Sequence, residues 1–342
     1  MLRLSPLARA VVLALAAASP AAAAPCTEAS AACTEWITLG PGPERSLVYR
    51  SYPLNTPNPA IARAFVMVHG AGRDADNYFR HALAAAFLAG ALDDTLIVSP
   101  RFASNDGRGC TDALDANEVN WPCAGNSWRS GGPTAKNPAL TSFHLMDRIL
   151  RLLARKDIFP NLQVIVVGGH SAGGQFANRY AMANTVHDTL GVPVRYVVAN
   201  PSSYAYLDPI RPGPAGDGGK VAFGPFAGAA TCATFDSWPY GLRDRAGYTA
   251  EMTRDALAKN LAARPTTFLI GQLDILPLAG FDSSCAAMAQ GPNRLARGQA
   301  YGQYVNEVLG ASHATSVVPL CGHHARCMFT SDPVLPLIFP VR

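Results

Sequence analysis

Charge is scarce in this 342-residue chain: Asp, Glu, Lys and Arg supply only 15% of it, with 28 basic residues against 24 acidic. No run of like charge breaks that balance, so neither the basic stripe that nucleic acids require nor a polybasic patch for anionic lipid is present. Long apolar runs are also missing. The stretch Ala10–Ala18 stops before Pro20, short of the roughly 20 residues that span a bilayer, which excludes a stable membrane anchor there. No pair of cysteines has the C-x2-C spacing of a zinc site, so no metal is expected. Internal repeats and linkers are absent too. The composition is 49% hydrophobic, enough for one large core, and residues 25–342 are expected to form a single domain.

What is present begins with a leader. Arg3 and Arg9 precede the apolar stretch, and Ser19-Pro20-Ala21-Ala22-Ala23-Ala24 supplies small residues of the kind cleaved by signal peptidases. Residues 1–24 are therefore expected to be a secretory signal peptide, with the cut between Ala21 and Pro25. A lipoprotein alternative would acylate Cys26, but Pro25 is the wrong residue before it. Without the leader's two arginines, 26 basic residues face 24 acidic ones, which points to uncharged partners rather than nucleic acid. The expected location is secreted or periplasmic.

An even set of eight cysteines beyond the leader agrees with export. Proximity in sequence pairs Cys26 with Cys33, Cys110 with Cys123 and Cys321 with Cys327, leaving Cys232 with Cys285.

Short apolar runs alternate with helical patterns along the rest of the chain. Trp36–Leu39 and Ser46–Tyr52 read as an opening antiparallel pair, followed by strands at Ala64–His69, Leu96–Ser99, Leu162–Gly168, Val194–Ala199, Thr266–Gly271 and Thr315–Pro319. Helical spacing occurs at Tyr78–Leu88, Leu140–Lys156, Gly173–Ala183, Ala250–Ala262 and Leu295–Leu309. Continuous apolar strands alternating with helices predict an α/β fold, a mainly parallel sheet with helices on both faces and no separate large lid domain. Two irregular stretches, Arg101–Pro138 and Pro201–Gly247, leave the carboxyl ends of strands, where open α/β sheets bind ligands. Their large aromatics, Trp121, Trp128, Tyr204, Tyr206, Trp238 and Tyr240, are expected to form a substrate rim.

The strand Leu162–Gly168 runs directly into Gly169-His170-Ser171-Ala172-Gly173-Gly174. A serine at such a strand-to-helix corner sits on a sharp turn, with glycines allowing close approach and a helix N-terminus ready for negative charge. The Gly-x-Ser-x-Gly pattern alone is weak, at roughly 0.15 chance occurrences in a chain with 30 glycines. Context strengthens it. A serine needs a histidine base and a carboxylate to orient the histidine, and each has a candidate just past a later strand: Asp274 after Thr266–Gly271, and His323 after Thr315–Pro319. The segment His69-Gly70-Ala71-Gly72-Arg73 supplies a turn whose Ala71 or Gly72 N–H, with that of Ala172, would hold an oxyanion.

These four elements, in the order Ser…Asp…His with the His-Gly-x-Gly turn ahead of them, resemble the α/β-hydrolase superfamily over nearly all of the mature chain. The His-Gly-Ala-Gly-Arg turn and the Gly322-His323-x-Ala325-x-x-Met328 ending look like secreted esterases of the feruloyl-esterase and polyhydroxyalkanoate-depolymerase type. The resemblance implies hydrolysis of small or polymeric carboxylic esters through an acyl-enzyme, with neither metal nor organic cofactor. It leaves the oligomeric state open.

Competing assignments exist for several positions. His170 packs beside the serine in this reading, and His69 holds the turn by hydrogen bonds. His324 competes with His323 as the base; Asp282 and Asp208 compete with Asp274 as the acid. A prolyl-oligopeptidase-like peptidase and a non-catalytic binding protein on the same fold are the rival functions; the first usually carries a propeller, and the second generally loses one of these elements.

Overall fold

The computed structural model describes residues 24–123, 127–278 and 280–340. The expected leader, residues 1–24, lies outside them apart from Ala24.

Among the described residues, ten strands and eight α-helices follow in order. Strands β1 (Thr34–Thr38) and β2 (Arg45–Arg50) open the chain, then β3 (Arg63–Val68), α1 (Ala75–Leu88), β4 (Thr95–Pro100), α2 (Ser142–Leu153), β5 (Val164–His170), α3 (Ala172–Ala183) and β6 (Val194–Ala199). Next come β7 (Ile210–Ala215), β8 (Val221–Pro225), α4 (Arg254–Ala263), β9 (Thr266–Gly271), α5 (Cys285–Met288), α6 (Arg294–Glu307), β10 (Ala314–Val318), α7 (Ala325–Thr330) and α8 (Leu335–Ile338).

Eight strands form one sheet in the order β1-β2-β4-β3-β5-β6-β9-β10. The β1–β2 and β2–β4 pairs are antiparallel and every other pair is parallel. Crossover helices cover both faces, which is why β4 and β5 are buried along their whole length. Alternation along β3 divides the core: Ala64, Val66 and Val68 pack with Phe143 of α2 and Phe176 of α3, while Phe65 and Met67 pack with Phe79 of α1 and Phe329 of α7.

Helix starts follow local capping chemistry. Thr141 and His144 form a reciprocal capping box that fixes the start of α2. Thr253 caps α4 by accepting from the Ala256 N–H at 3.1 Å, so that helix begins later than periodicity predicts. Asn293 accepts from the Ala296 N–H at 2.9 Å, placing Arg294 at the first position of α6.

The segment expected to be irregular after β6 contains the β7–β8 hairpin, which stands apart from the main sheet. Its Pro212, Pro214 and Pro225 masked the strand pattern. The cysteines pair as 26–33, 110–123, 232–285 and 321–327, with Cα–Cα distances of 5.7 to 5.8 Å. No helix among the described residues is long and apolar enough to cross a membrane.

Candidate active site

Parallel strands end together, so the loops after β3, β5, β6, β9 and β10 converge on one edge of the sheet. Ser171 lies between β5 and α3 with φ 58° and ψ −117°, a left-handed backbone that costs a non-glycine residue about 1–3 kcal/mol and needs surrounding structure to hold it. Its N–H donates to the Ala199 carbonyl of β6 at 2.9 Å. The two glycines of the motif serve close approach. A Cβ on Gly169 would strike the Gly173 carbonyl, and a Cβ on Gly173 would strike the carbonyls of Val68 and His69.

His323 connects serine and carboxylate. Its Nδ1 donates to Asp274 Oδ2 at 2.8 Å, which in the neutral ring leaves Nε2 to accept from the Ser171 hydroxyl at 2.9 Å. Ser171 is 8% exposed, so the hydroxyl remains reachable from a cleft of about 530 Å³. Gly70, Ala71, Gly72, Tyr78 and Gly280 line that cleft with Ser171 and His323. Ala172, in the first turn of α3, has a backbone N–H that by position lacks a partner within the helix.

The competing residues have other partners. Asp282 accepts from the Tyr240 hydroxyl at 2.7 Å, and Asp208 accepts from the Tyr304 hydroxyl at 2.7 Å and Arg254 at 2.8 Å. His324 caps α7, its Nδ1 accepting from the Cys327 N–H at 3.3 Å.

His69 is buried and neutral. Its Nδ1–H donates to the Gly70 carbonyl at 2.8 Å, and its Nε2 accepts from the Phe102 N–H at 3.0 Å. Burial holds its pKa down at about 4. The ring thus braces the Gly70–Arg73 turn from below, while the Arg73 Nε–H donates to the Phe102 carbonyl at 2.9 Å. His170 is buried as well, and desolvation first and the nearby His323 second push its pKa well below the ordinary imidazole value. Its Nδ1 is 3.1 Å from the Tyr78 hydroxyl. That hydroxyl also lies 2.6 Å from where a Cβ on Gly70 would be.

Two groups escaped the sequence reading. Arg294 places Nη1 3.4 Å from Asp274 Oδ1, with both side chains at most 1% exposed. Its Nε–H donates to Ser202 Oγ at 2.7 Å and its Nη2 to the Leu278 carbonyl at 3.1 Å. Asn200 joins three strand ends: its Oδ1 accepts from the Gly271 N–H at 2.7 Å, and its Nδ2 donates to the Gly322 carbonyl at 3.1 Å. Sequence does not flag Arg294, because an arginine at a helix start reads as solvated, whereas Asn200 stands just past β6 at φ 44°, a left-handed position that asparagine tolerates better than most residues.

The aromatic rim requires correction. Trp121, Trp128, Tyr204 and Tyr206 are each at most 1% exposed and belong to the core. Trp128 stacks on Phe102 at 4.9 Å, and Tyr204 stacks on Tyr301 at 4.3 Å. Trp238 is half-buried against the same core, its Nε1–H donating to the Ser130 carbonyl at 3.0 Å. Large aromatics in an irregular segment recover more free energy by sealing the core than by facing water, and here burial wins.

Residues 65–337 match the alpha/beta hydrolase family. The chain belongs to that family. No curated protein matches it. Among solved structures, this hydrolase is similar to LpqC, a poly(3-hydroxybutyrate) depolymerase from Bordetella parapertussis, at 25% identity and a TM-score of 0.58, covering 87% of this chain and 85% of that one. It also shares its fold with poly(aspartic acid) hydrolase-1 from Sphingomonas sp. KT-1, at 21% identity and a TM-score of 0.61, over 90% of this chain and 97% of the other.

Proposed function

We propose that this hydrolase is an exported serine esterase that cleaves carboxylic esters through an acyl-enzyme. The observation that carries the reading is the chain of hydrogen bonds from Asp274 through His323 to Ser171, at 2.8 and 2.9 Å, beneath an open cleft.

In this reading the Ser171 oxygen attacks the ester carbonyl while His323 Nε2 takes its proton. Asp274 stabilises the imidazolium, and the N–H of Ala172 together with that of Ala71 or Gly72 receives the negative charge on the tetrahedral oxygen. Collapse breaks the acyl–oxygen bond, and the departing alcohol takes the proton from His323. Water then attacks the acyl-serine, again giving its proton to His323, and releases the acid and free Ser171. Residues 25–342 act as one catalytic unit after removal of residues 1–24, and four disulfides support a secreted or periplasmic location. The similarity to a poly(3-hydroxybutyrate) depolymerase supports polyester as a second class of substrate beside small esters.

The test is hydrolysis of p-nitrophenyl esters from acetyl to long-chain acyl by the mature protein beside Ser171→Ala. Loss of a thousandfold or more in the variant is expected; equal activity in both would remove Ser171 as nucleophile.

A further inference from the structure

The loop that carries Asp274 has an unusual surface. Leu273, Ile275, Leu276 and Leu278 are each 48% to 57% exposed, and Leu320, in the loop after β10, is 80% exposed. The two loops touch: the Leu273 N–H donates to the Cys321 carbonyl at 2.8 Å, and the Leu320 N–H donates to Gln272 Oε1 at 3.0 Å. Single exposed leucines are ordinary, whereas five exposed large aliphatic side chains gathered on two adjoining loops point to a contact surface.

Folding does not account for the patch. The loop is held from its inner side by polar contacts: Arg294 donates to the Leu278 carbonyl, Ser202 Oγ–H donates to the Gly280 carbonyl at 3.1 Å, and Phe281 lies 4.4 Å below the Arg297 guanidinium. Leu320 has φ 59°, a left-handed conformation that glycine or asparagine adopts at less cost. A strained, exposed leucine gains nothing from the core.

Continuity and charge indicate what the patch meets. Gly280, at the far end of the same loop, lines the cleft over Ser171, and a Cβ there would lie 3.9 Å from the Ala71 side chain. From Ile275 to Phe281 the sequence holds no ionisable residue, and Asp274 itself is buried. That stretch therefore offers neither a cation for a lipid phosphate nor a charge for a protein partner, and it leads straight to the candidate nucleophile.

We propose that the leucine surface of the Asp274 and Leu320 loops seats the enzyme on a water-insoluble, uncharged aliphatic polyester and delivers a chain from that solid into the cleft. The proposal rests on the ester-hydrolase reading and assigns it a solid substrate. It also relocates the substrate-contacting surface from buried aromatics to exposed aliphatics.

Adsorption to a film of amorphous poly(3-hydroxybutyrate) tests it, using mature Ser171→Ala protein so that the film is not consumed. Adding Leu276→Ser, Leu278→Ser and Leu320→Ser is expected to reduce the adsorbed fraction at least fivefold, while methionine at the same three positions retains it. With Ser171 restored, the triple serine variant should hydrolyse p-nitrophenyl acetate within twofold of the parent, which also shows that it folds. Unchanged adsorption of the triple serine variant overturns the proposal, as does stronger binding to phosphatidylcholine vesicles than to the film. Absence of p-nitrophenyl acetate hydrolysis by the parent would sink the ester-hydrolase reading itself, an outcome the adsorption comparison does not share.

Discussion

Arg294 stands behind Asp274 on the side opposite His323, 3.4 Å from the carboxylate and with no more solvent access than the carboxylate has. A buried carboxylate that must stay ionised needs such a partner, because an uncompensated charge in the interior is expensive. Replacing Arg294 with Met is expected to cost about 3–5 kcal/mol in urea unfolding. Activity on p-nitrophenyl acetate should fall at least tenfold as Asp274 loses its fixed orientation. A loss below about 1 kcal/mol would mean that water, not Arg294, supports the carboxylate.

Acid should weaken the fold through His69. Unfolded, the ring titrates near the ordinary 6.5; folded and buried, it titrates at about 4. Between those values the unfolded chain binds a proton that the native protein refuses, so this contribution is complete above pH 6.5 and declines toward pH 4, by up to about 3 kcal/mol. His170, shifted the same way, adds to the trend. Urea midpoints at pH 7 and pH 4.5 measure it, and equal midpoints would contradict the burial of both rings.

The glycines of the serine turn should not tolerate a methyl group. Gly173→Ala drives a Cβ into two carbonyls of the β3 end, so loss of more than about 3 kcal/mol or failure to accumulate as soluble protein is expected. Gly224→Ala in β8 is the control, since a Cβ there meets nothing within 4 Å; its stability should change by less than about 1 kcal/mol. Thermal melts of the two variants decide the comparison.

Disulfides should divide between stability and activity. Cys232 and Cys285 are separated by 53 positions and Cys321 and Cys327 by 6. Chain entropy assigns the first about 4 kcal/mol and the second about 2 kcal/mol. Removing the 321–327 pair as serines should nonetheless lower activity on p-nitrophenyl acetate more, because that small loop contains His323. Simultaneous loss of activity and circular dichroism on mild reduction would show that the small loop has no separate role.

The central sheet was legible because β3, β4, β5, β6 and β9 are covered on both faces, and double burial writes a continuous apolar run. The positions of Ser171, Asp274 and His323 followed from strand ends and motif order, and the structure brings His323 within hydrogen-bonding distance of both Ser171 and Asp274. The β7–β8 hairpin was hidden by prolines at solvent-facing edges. Arg294 was hidden because its partner lies on a different element, a relation that periodicity does not record. The aromatics misled for a physical reason: composition says that Trp121 and Tyr204 seek apolar surroundings, but not whether those are a ligand or the protein's own core.

Tyr78 fills the space beside Gly70 with its hydroxyl and meets His170 with the same atom. Helix α1 consequently bears on the spelling of the His69–Arg73 turn: while tyrosine stands at 78, alanine at 70 would require its hydroxyl to move. Phenylalanine at 78 would free that room and at the same time strip His170 of its partner. The turn and the helix are therefore coupled through one hydroxyl, so substitutions at 70 and 78 should not act independently of each other.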